Sequence, residues 1–260
     1  MNDTVRYALV TGAASGMGRC YASLLARRGY GIVAVDINQS ALDSLCKEIS
    51  AVPVIAICMD LRAHDAAQRI HQMCSERGAQ VEVLVNNAGI LVTGSIADTA
   101  PERLQAIVDL HCSTPLMMCR YFVPDMIARG CGYVLDISSI CAWMDWPIIG
   151  MYGNTKRFVK GFSRSLMVEC RGTGVSVTTA VFGAVDTPLF NFPPKARRLM
   201  LASGVMISPQ DAARKALDAM FKRRKQTIPG FVNRITIALC KTIPDRLLAR
   251  LVQKYAYLFL

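Results

Sequence analysis

The chain has 260 residues, 52% apolar and 19% charged, which excludes a disordered or fibrous polypeptide and allows a full core in one domain. Its formal charge of +11 is segregated: residues 195–260 carry fourteen Lys and Arg against Asp211, Asp218 and Asp245, so the first 194 residues are neutral. Ten cysteines show no C-x-x-C pair or other metal-ligand spacing, so no metal is expected, and reduced thiols fit a cytoplasmic protein better than a secreted one.

Met1 to Arg6 is polar and runs straight into an apolar stretch, so no signal peptide is expected, and no apolar run approaches the roughly 20 residues needed to span a bilayer. Tyr7 to Thr11 reads as a buried strand, followed by a glycine turn, Thr11-Gly12-Ala13-Ala14-Ser15-Gly16-Met17-Gly18, and a helix to about Arg28. Gly31 to Val35 is a second strand ending at Asp36, and Ser40 to Ile49 has helical spacing. Val54 to Met59 is a third strand, closed by Asp60 and Leu61 and followed by a helix through Ala66, Ile70 and Met73. Val81 to Val85 is a fourth, entering Asn86-Asn87-Ala88-Gly89. A long helix from about Pro101 to Arg129, a strand at Tyr133 to Ile137, a helix from about Met151 to Cys170 and a strand at Val175 to Val181 follow. Alternation at this spacing implies an α/β fold with a parallel sheet covered on both faces.

The stretch 184–208 reads as irregular but apolar, a substrate-binding loop. Ser208-Pro209-Gln210-Asp211 then reads as the capped start of a helix to about Lys222. Residues 222–260 form a basic, amphipathic C-terminal extension.

A glycine turn between a strand and a helix lets backbone N–H groups approach a pyrophosphate at the positive end of the helix dipole. Asp36 lies 24 residues beyond Gly12 at the end of the next strand. A carboxylate there accepts the ribose hydroxyls and repels a 2′-phosphate, so NAD is expected over NADP; Arg19 weakens that preference only slightly. The alternative for Asp36 is a solvated acid at a strand end. Asp60 is placed to accept from the adenine amine. Asn86 and Asn87 are placed to bridge backbone groups, while Ala88 and Gly89 leave room beside the cofactor.

Tyr152 and Lys156 stand one helical turn apart, and an ammonium beside a phenol favours the phenolate. That makes Tyr152 a general acid/base, with Ser139 able to hydrogen-bond the same substrate oxygen. Taken alone, the pair also reads as a surface i,i+4 contact.

From residue 5 to about 190 the chain resembles the short-chain dehydrogenase/reductase (SDR) family, through T-G-x-x-x-G-x-G at 11–18, N-N-A-G at 86–89, the serine at 139 and Y-x-x-x-K at 152–156. The resemblance, which extends to hydroxysteroid dehydrogenases, implies a single-domain, Rossmann-like, doubly wound sheet of about seven strands and hydride exchange with a nicotinamide. It also implies that Tyr152 moves the hydroxyl proton, Ser139 positions the oxygen, and Lys156 lowers the phenol pKa and holds the nicotinamide ribose. Val185 and Thr187 would hold the nicotinamide amide, and the long helices at 101–129 and 151–170 would pair in a homodimer or homotetramer.

Two departures stand out. His111 occupies the place where the family has a catalytic asparagine; an imidazole there holds a water, relays protons, or simply fills the core. Phe182-Gly183 replaces Pro-Gly and is expected to reshape the nicotinamide end.

Trp143, Trp146, Met151, Phe182, Leu189, Phe190 and Phe192 are candidates for an apolar pocket, which points to a bulky lipophilic secondary alcohol or ketone, a hydroxysteroid or bile acid first, a fatty-acyl or small xenobiotic carbonyl second. The basic C-terminal region has three readings: a solvated face, a steering field for an anionic steroid, or a membrane-surface contact. No nucleic-acid recognition element is visible. A catalytically weak dinucleotide-binding protein is the competing class, and the intact Ser139, Tyr152 and Lys156 set argues against it.

Overall fold

The computed structural model describes residues 5–144, 147–189 and 193–240, with Pro244, Leu247 and Arg250 beyond them. In chain order the elements are β1 (Arg6–Thr11), α1 (Gly16–Ala26), β2 (Gly31–Asp36), α2 (Gln39–Glu48), β3 (Val54–Cys58), α3 (Ala66–Glu76) and β4 (Gln80–Asn86). Then come α4 (Pro101–Val108), a π-helical turn (Asp109–Ser113), α5 (Thr114–Ala128), β5 (Gly132–Ser139) and α6 (Gly150–Glu169). The last part comprises β6 (Val175–Phe182), β7 (Ala184–Val185), α7 (Pro194–Ala202), β8 (Met206–Ile207), α8 (Pro209–Phe221), β9 (Gln226–Thr227) and α9 (Phe231–Cys240).

Seven strands form one parallel sheet in the order β3-β2-β1-β4-β5-β6-β9. The chain winds outward from β1 in one direction, then returns to wind outward in the other, so the carboxyl ends of β1 and β4 diverge from a common crevice, where ligands bind in such sheets. Strand alternation sorts the core into two layers. Ala8, Val10, Ile32 and Ala34 face α1, α2 and α8 through Leu25, Leu42 and Leu217, whereas Leu9, Val33 and Val35 face α3 and α5 through Ile70, Met118 and Phe122.

Four details differ from the sequence reading. The long helix is interrupted: the π turn at Asp109–Ser113 separates α4, whose Ile107 joins Val92 and Tyr152, from α5, which packs on the sheet. The stretch read as irregular holds α7 and the short parallel pair β7·β8. A seventh strand, β9, is only two residues long and is defined by its pairing with Thr179 and Ala180 of β6 rather than by any pattern. The last helix, α9, was not anticipated as an element. Ser208 caps α8 as expected, its Oγ accepting from the Asp211 N–H at 3.1 Å. Among the described residues no helix is long and apolar enough to cross a membrane, and no group of His, Cys, Asp and Glu is arranged to hold a metal.

Candidate active site

The glycine turn is held by sterics. Gly12 and Gly16 have φ of +63° and +49°, which L side chains rarely adopt. A Cβ on Gly18 would lie 1.8 Å from the Gly12 carbonyl oxygen, so only glycine lets α1 pack this closely on the turn. Ser15 occupies the N-cap of α1 without a capping side-chain bond, and no acid stands in the first helical turn. The first N–H groups of α1 therefore lack a competing carboxylate, as an anion site requires.

Beside this turn runs a cleft of about 380 Å³ lined by Gly12, Ser15, Asp36, Asp60, Leu61, Ala88 and Gly89, together with Ile37, Arg62, Ile90 and Leu110. The Asp36 carboxylate accepts from the Ala14 N–H at 2.9 Å and from the Asn38 N–H at 3.1 Å, which aims it into the cleft. Arg19 points elsewhere, ion-paired to Glu48 and donating to Ser44 Oγ at 2.9 Å. Asp60 is gripped by Arg62 through bonds of 2.6 to 3.1 Å, which hold its carboxyl below the usual range. An adenine amine would therefore share that carboxylate with a guanidinium. Thr187 reaches back over the turn, its Cγ2 standing 3.4 Å from where a Gly16 Cβ would be, while Val185 is buried in β7 and Met17 lies against the core. The residues fit a dinucleotide: a cradle that only glycine permits, an uncapped helix terminus, and an acid at the end of β2.

The ends of β1 and β4 are tied by one small network. Asn87 Nδ2 donates to the Thr11 carbonyl at 2.9 Å, and the Asn87 and Ala88 N–H groups donate to Thr11 Oγ1 at 2.9 and 3.0 Å. This is the bridging read from the asparagines, with Thr11 as the partner that the strand pattern had hidden. Asn86 points the other way: its Nδ2 donates to Asp136 Oδ1 at 2.8 Å, while its buried Oδ1 has no hydrogen-bond partner.

On the other side of the crevice, Ser139 ends β5 and Tyr152 and Lys156 lie on the first turns of α6, all three buried. Ser139 Oγ accepts from the Cys141 N–H at 3.2 Å and is hydrogen-bonded to the Tyr152 hydroxyl. Lys156 Nζ donates to the Ile137 carbonyl at 3.0 Å and stands 5.7 Å from the Tyr152 ring centroid. Burial raises the Tyr152 phenol above its ordinary range, the nearby Cys141 adds to this, and the Ser139 bond pulls it back. The expected lowering by Lys156 is thus not what this geometry produces. The ammonium itself is pushed down to about 8 by burial, against the opposing pull of Cys112, Asp136 and Cys141. Asp136 is fully buried beneath it, held by Asn86 and by Ser163 Oγ at 2.7 Å, and burial raises its carboxyl.

His111 sits in the π turn, 2% exposed, with both ring nitrogens occupied. The Ile90 N–H donates to Nε2 at 3.1 Å, so Nε2 carries a lone pair and the neutral ring must hold its proton on Nδ1, which faces Thr155 Oγ1 at 2.9 Å. Thr155 Oγ1 donates in turn to the Tyr152 carbonyl at 2.9 Å. Burial and the charge of Lys156 hold the imidazole well below its usual pKa. A cavity of about 10 Å³, close to the space of one water, is lined by Asn86, His111 and Lys156 among others.

The pocket candidates are divided. Met151 packs with Tyr152 and Ile107, and Leu189 is half-buried in the segment after β7. Phe182, expected at the pocket, is 3% exposed and packed in the core under α8, because strand alternation turns it to the same face as Ala180. The Trp143 ring lies 4.1 Å beneath Lys160 Nζ and lines a separate cavity of about 970 Å³ along α6 that Ser139, Tyr152 and Lys156 do not line. Trp146, Phe190 and Phe192 lie outside the described residues.

A family model described as short chain dehydrogenase matches residues 6–197. The chain is similar to glycine betaine reductase ATRR of Emericella nidulans, 31% identical over 83% of this chain and 17% of that protein. It is also similar to a very-long-chain 3-oxoacyl-CoA reductase of Pyricularia oryzae, 34% identical over 66% of this chain and 54% of that protein. It therefore spans about a sixth and about half of these two relatives. Among solved structures, a 7beta-hydroxysteroid dehydrogenase superposes with a TM-score of 0.84 at 23% identity, covering 94% of this chain and 96% of that one. A short-chain dehydrogenase from Sphingobium yanoikuyae in complex with NADPH superposes with a TM-score of 0.78 at 24% identity, covering 92% and 97%.

Proposed function

The chain belongs to the short-chain dehydrogenase/reductase family, and from that footing we propose that it is an NAD-dependent oxidoreductase interconverting a secondary alcohol and a ketone on a bulky lipophilic substrate, a hydroxysteroid or bile acid. The observation that carries this reading is the bond between Ser139 and Tyr152 with Lys156 behind the ring, on the same sheet edge as the glycine cleft.

When bound, the nicotinamide gives or takes the hydride. Gly12, Ser15, Gly16, Met17 and Gly18 would hold the pyrophosphate, Asp36 the adenosine ribose, Asp60 and Leu61 the adenine, and Asn87, Ala88, Gly89, Val185 and Thr187 the remainder. The Ser139 hydroxyl, fixed by the Cys141 N–H, would turn its proton from the phenol to the substrate oxygen. Tyr152 donates or accepts the proton at the same oxygen. A phenol kept protonated by burial is poised to donate at that oxygen. Lys156 Nζ, held by the Ile137 carbonyl, resists the loss of its proton to burial through Cys112, Asp136 and Cys141. His111 is a neutral anchor rather than a relay, since a proton on Nε2 would break the bond from Ile90. The acceptor left for a water at this spot is Asn86 Oδ1. Replacing His111 with Asn is expected to retain activity with an unshifted pH profile of kcat/KM. A titration near neutral pH that vanished with the ring would restore the relay.

NAD is favoured because Asp36 faces the cleft, Ile37 rather than a cation follows it, and Arg19 is tied to Glu48. The similarity to a 3-oxoacyl-CoA reductase supports the second substrate class, an acyl chain. The test is a panel of hydroxysteroids, bile acids, simple secondary alcohols and 3-hydroxyacyl thioesters with NAD and NADP, followed by absorbance of the reduced nicotinamide. Turnover of hydroxysteroids with NAD is the expected result. Turnover with NADP alone would overturn the cofactor assignment, thioesters alone would select the acyl class, and cofactor binding without any turnover would leave a dinucleotide-binding protein.

A further inference from the structure

Helix α9 is folded with its polarity reversed. Its buried positions are Asn233 and Ile237, and Asn233 is the anchor: Nδ2 donates to the Pro229 carbonyl at 2.6 Å, and Oδ1 stands 2.1 Å from where a Gly183 Cβ would be. Phe231, Ile235 and Leu239, one turn apart, are 76%, 44% and 59% exposed, and Val232 borders them at 38%. With Ala238 these side chains fill an arc of about 120° of the helix surface that contains no polar residue. A solvated helix places its apolar residues the other way round.

The charge of the C-terminal region is one-sided, although on α9 itself it is Arg234 that borders the arc, while Arg223 lies at the amino end of the sheet against Gly174 and Tyr133. Lys222, Arg223, Arg224, Lys225 and Arg234 are exposed, and none has an ion-pair partner among the described residues. The nearby acids are already used, Asp211 by Arg214 and Asp218 by Arg28. Beyond α9 the sequence continues in kind, with Lys241, Arg246, Arg250 and Lys254 among leucines and a single acid, Asp245. A second copy of the chain would bring the same excess of positive charge to this face, which disfavours self-association there. An anionic bilayer matches both properties at once, apolar depth and negative surface.

We propose that α9 docks on an anionic lipid surface, with the apolar arc in the acyl boundary and Arg234, with the cations that follow α9 in the sequence, among the headgroups. The helix packs on the turn Ile140–Trp143 that follows Ser139, so docking sets the substrate side of the site at the membrane. A lipophilic alcohol dissolved in the bilayer then reaches Tyr152 without crossing water; this last step rests on the substrate reading above, and the docking itself does not.

The experiment is co-sedimentation of the full chain with phosphatidylcholine vesicles, with and without phosphatidylglycerol, at low and high salt. Binding to the phosphatidylglycerol vesicles that weakens with salt is expected. Phe231→Ser and Leu239→Ser should each weaken it about tenfold, and Arg234→Glu or Lys241→Glu about fivefold. Turnover of a water-soluble secondary alcohol should be the same in all four variants, which separates a failure of docking from a failure of the enzyme assignment. Equal sedimentation with both vesicle types, or insensitivity to the two serine variants, overturns the proposal. So does a parent that ignores vesicles while its sedimentation velocity falls to that of a smaller species in Phe231→Ser, because the face would then be a contact between copies.

Discussion

The glycine cleft and the C-terminal quarter are built on opposite terms. Around the cleft the turn positions have steric or hydrogen-bonding reasons: Gly18 has no room for a methyl, Thr11 serves Asn87 and Ala88 together, and Ala13 is completely buried. The C-terminal quarter holds the whole charge excess, and its helix α7 buries nothing, held to the body through Arg197 and Asp186. The cleft is shaped for one constant shape, a dinucleotide, so its residues are dictated from within. In the other region the exposed apolar residues and cations answer to no such internal constraint.

The contrast can be tested by substitution. Tyr152→Phe removes one oxygen from the reactive end and should lower kcat by about 10²–10⁴ while leaving the melting temperature nearly unchanged; a near-normal kcat would break the link between this edge and the chemistry. Gly18→Ala should cost about 3 kcal/mol in urea unfolding, because the new methyl meets the Gly12 carbonyl, a backbone atom that cannot step aside.

Lys156→Met should abolish turnover and yet stabilise the fold by about 1–3 kcal/mol at neutral pH. An unfolded lysine keeps its proton to about pH 10.4, whereas in the fold it is lost near 8. Between those values the unfolded state binds more protons, so the parent's stability should rise with pH across that window and the variant's should not. Denaturation at pH 7 and pH 10 reads the difference directly. At the other extreme, Leu199→Ser on α7 should stay within about 0.5 kcal/mol of the parent; a loss as large as that of Gly18→Ala would erase the distinction between the two regions.

What could be read from the sequence follows the same division. Six strands and the first βα units were visible because buried parallel strands are short apolar runs between turns, and the glycine turn with Asp36 declares its own geometry. β9 was invisible because two residues have no periodicity and are a strand only through β6. α7 and α9 escaped for a related reason: the apolar pattern marks a core-facing helix, and here one helix faces no core while the other turns its apolar arc outward. Phe182 looked like a pocket residue from its place in the chain, but alternation along β6 sends it inward. For His111 the sequence supplied the ring and not its neighbours, and only the positions of Ile90 and Thr155 decide which nitrogen holds the proton.

The π turn at Asp109–Ser113 lets one continuous rod serve two addresses. A single additional residue in a helix swings everything after it by about 100° around the axis. Upstream, Ile107 can therefore look toward Tyr152, and downstream Met118 and Phe122 can look toward the sheet. Excising one residue from this turn would be a change of phase rather than of length, and it would force the rod to abandon one of its two audiences.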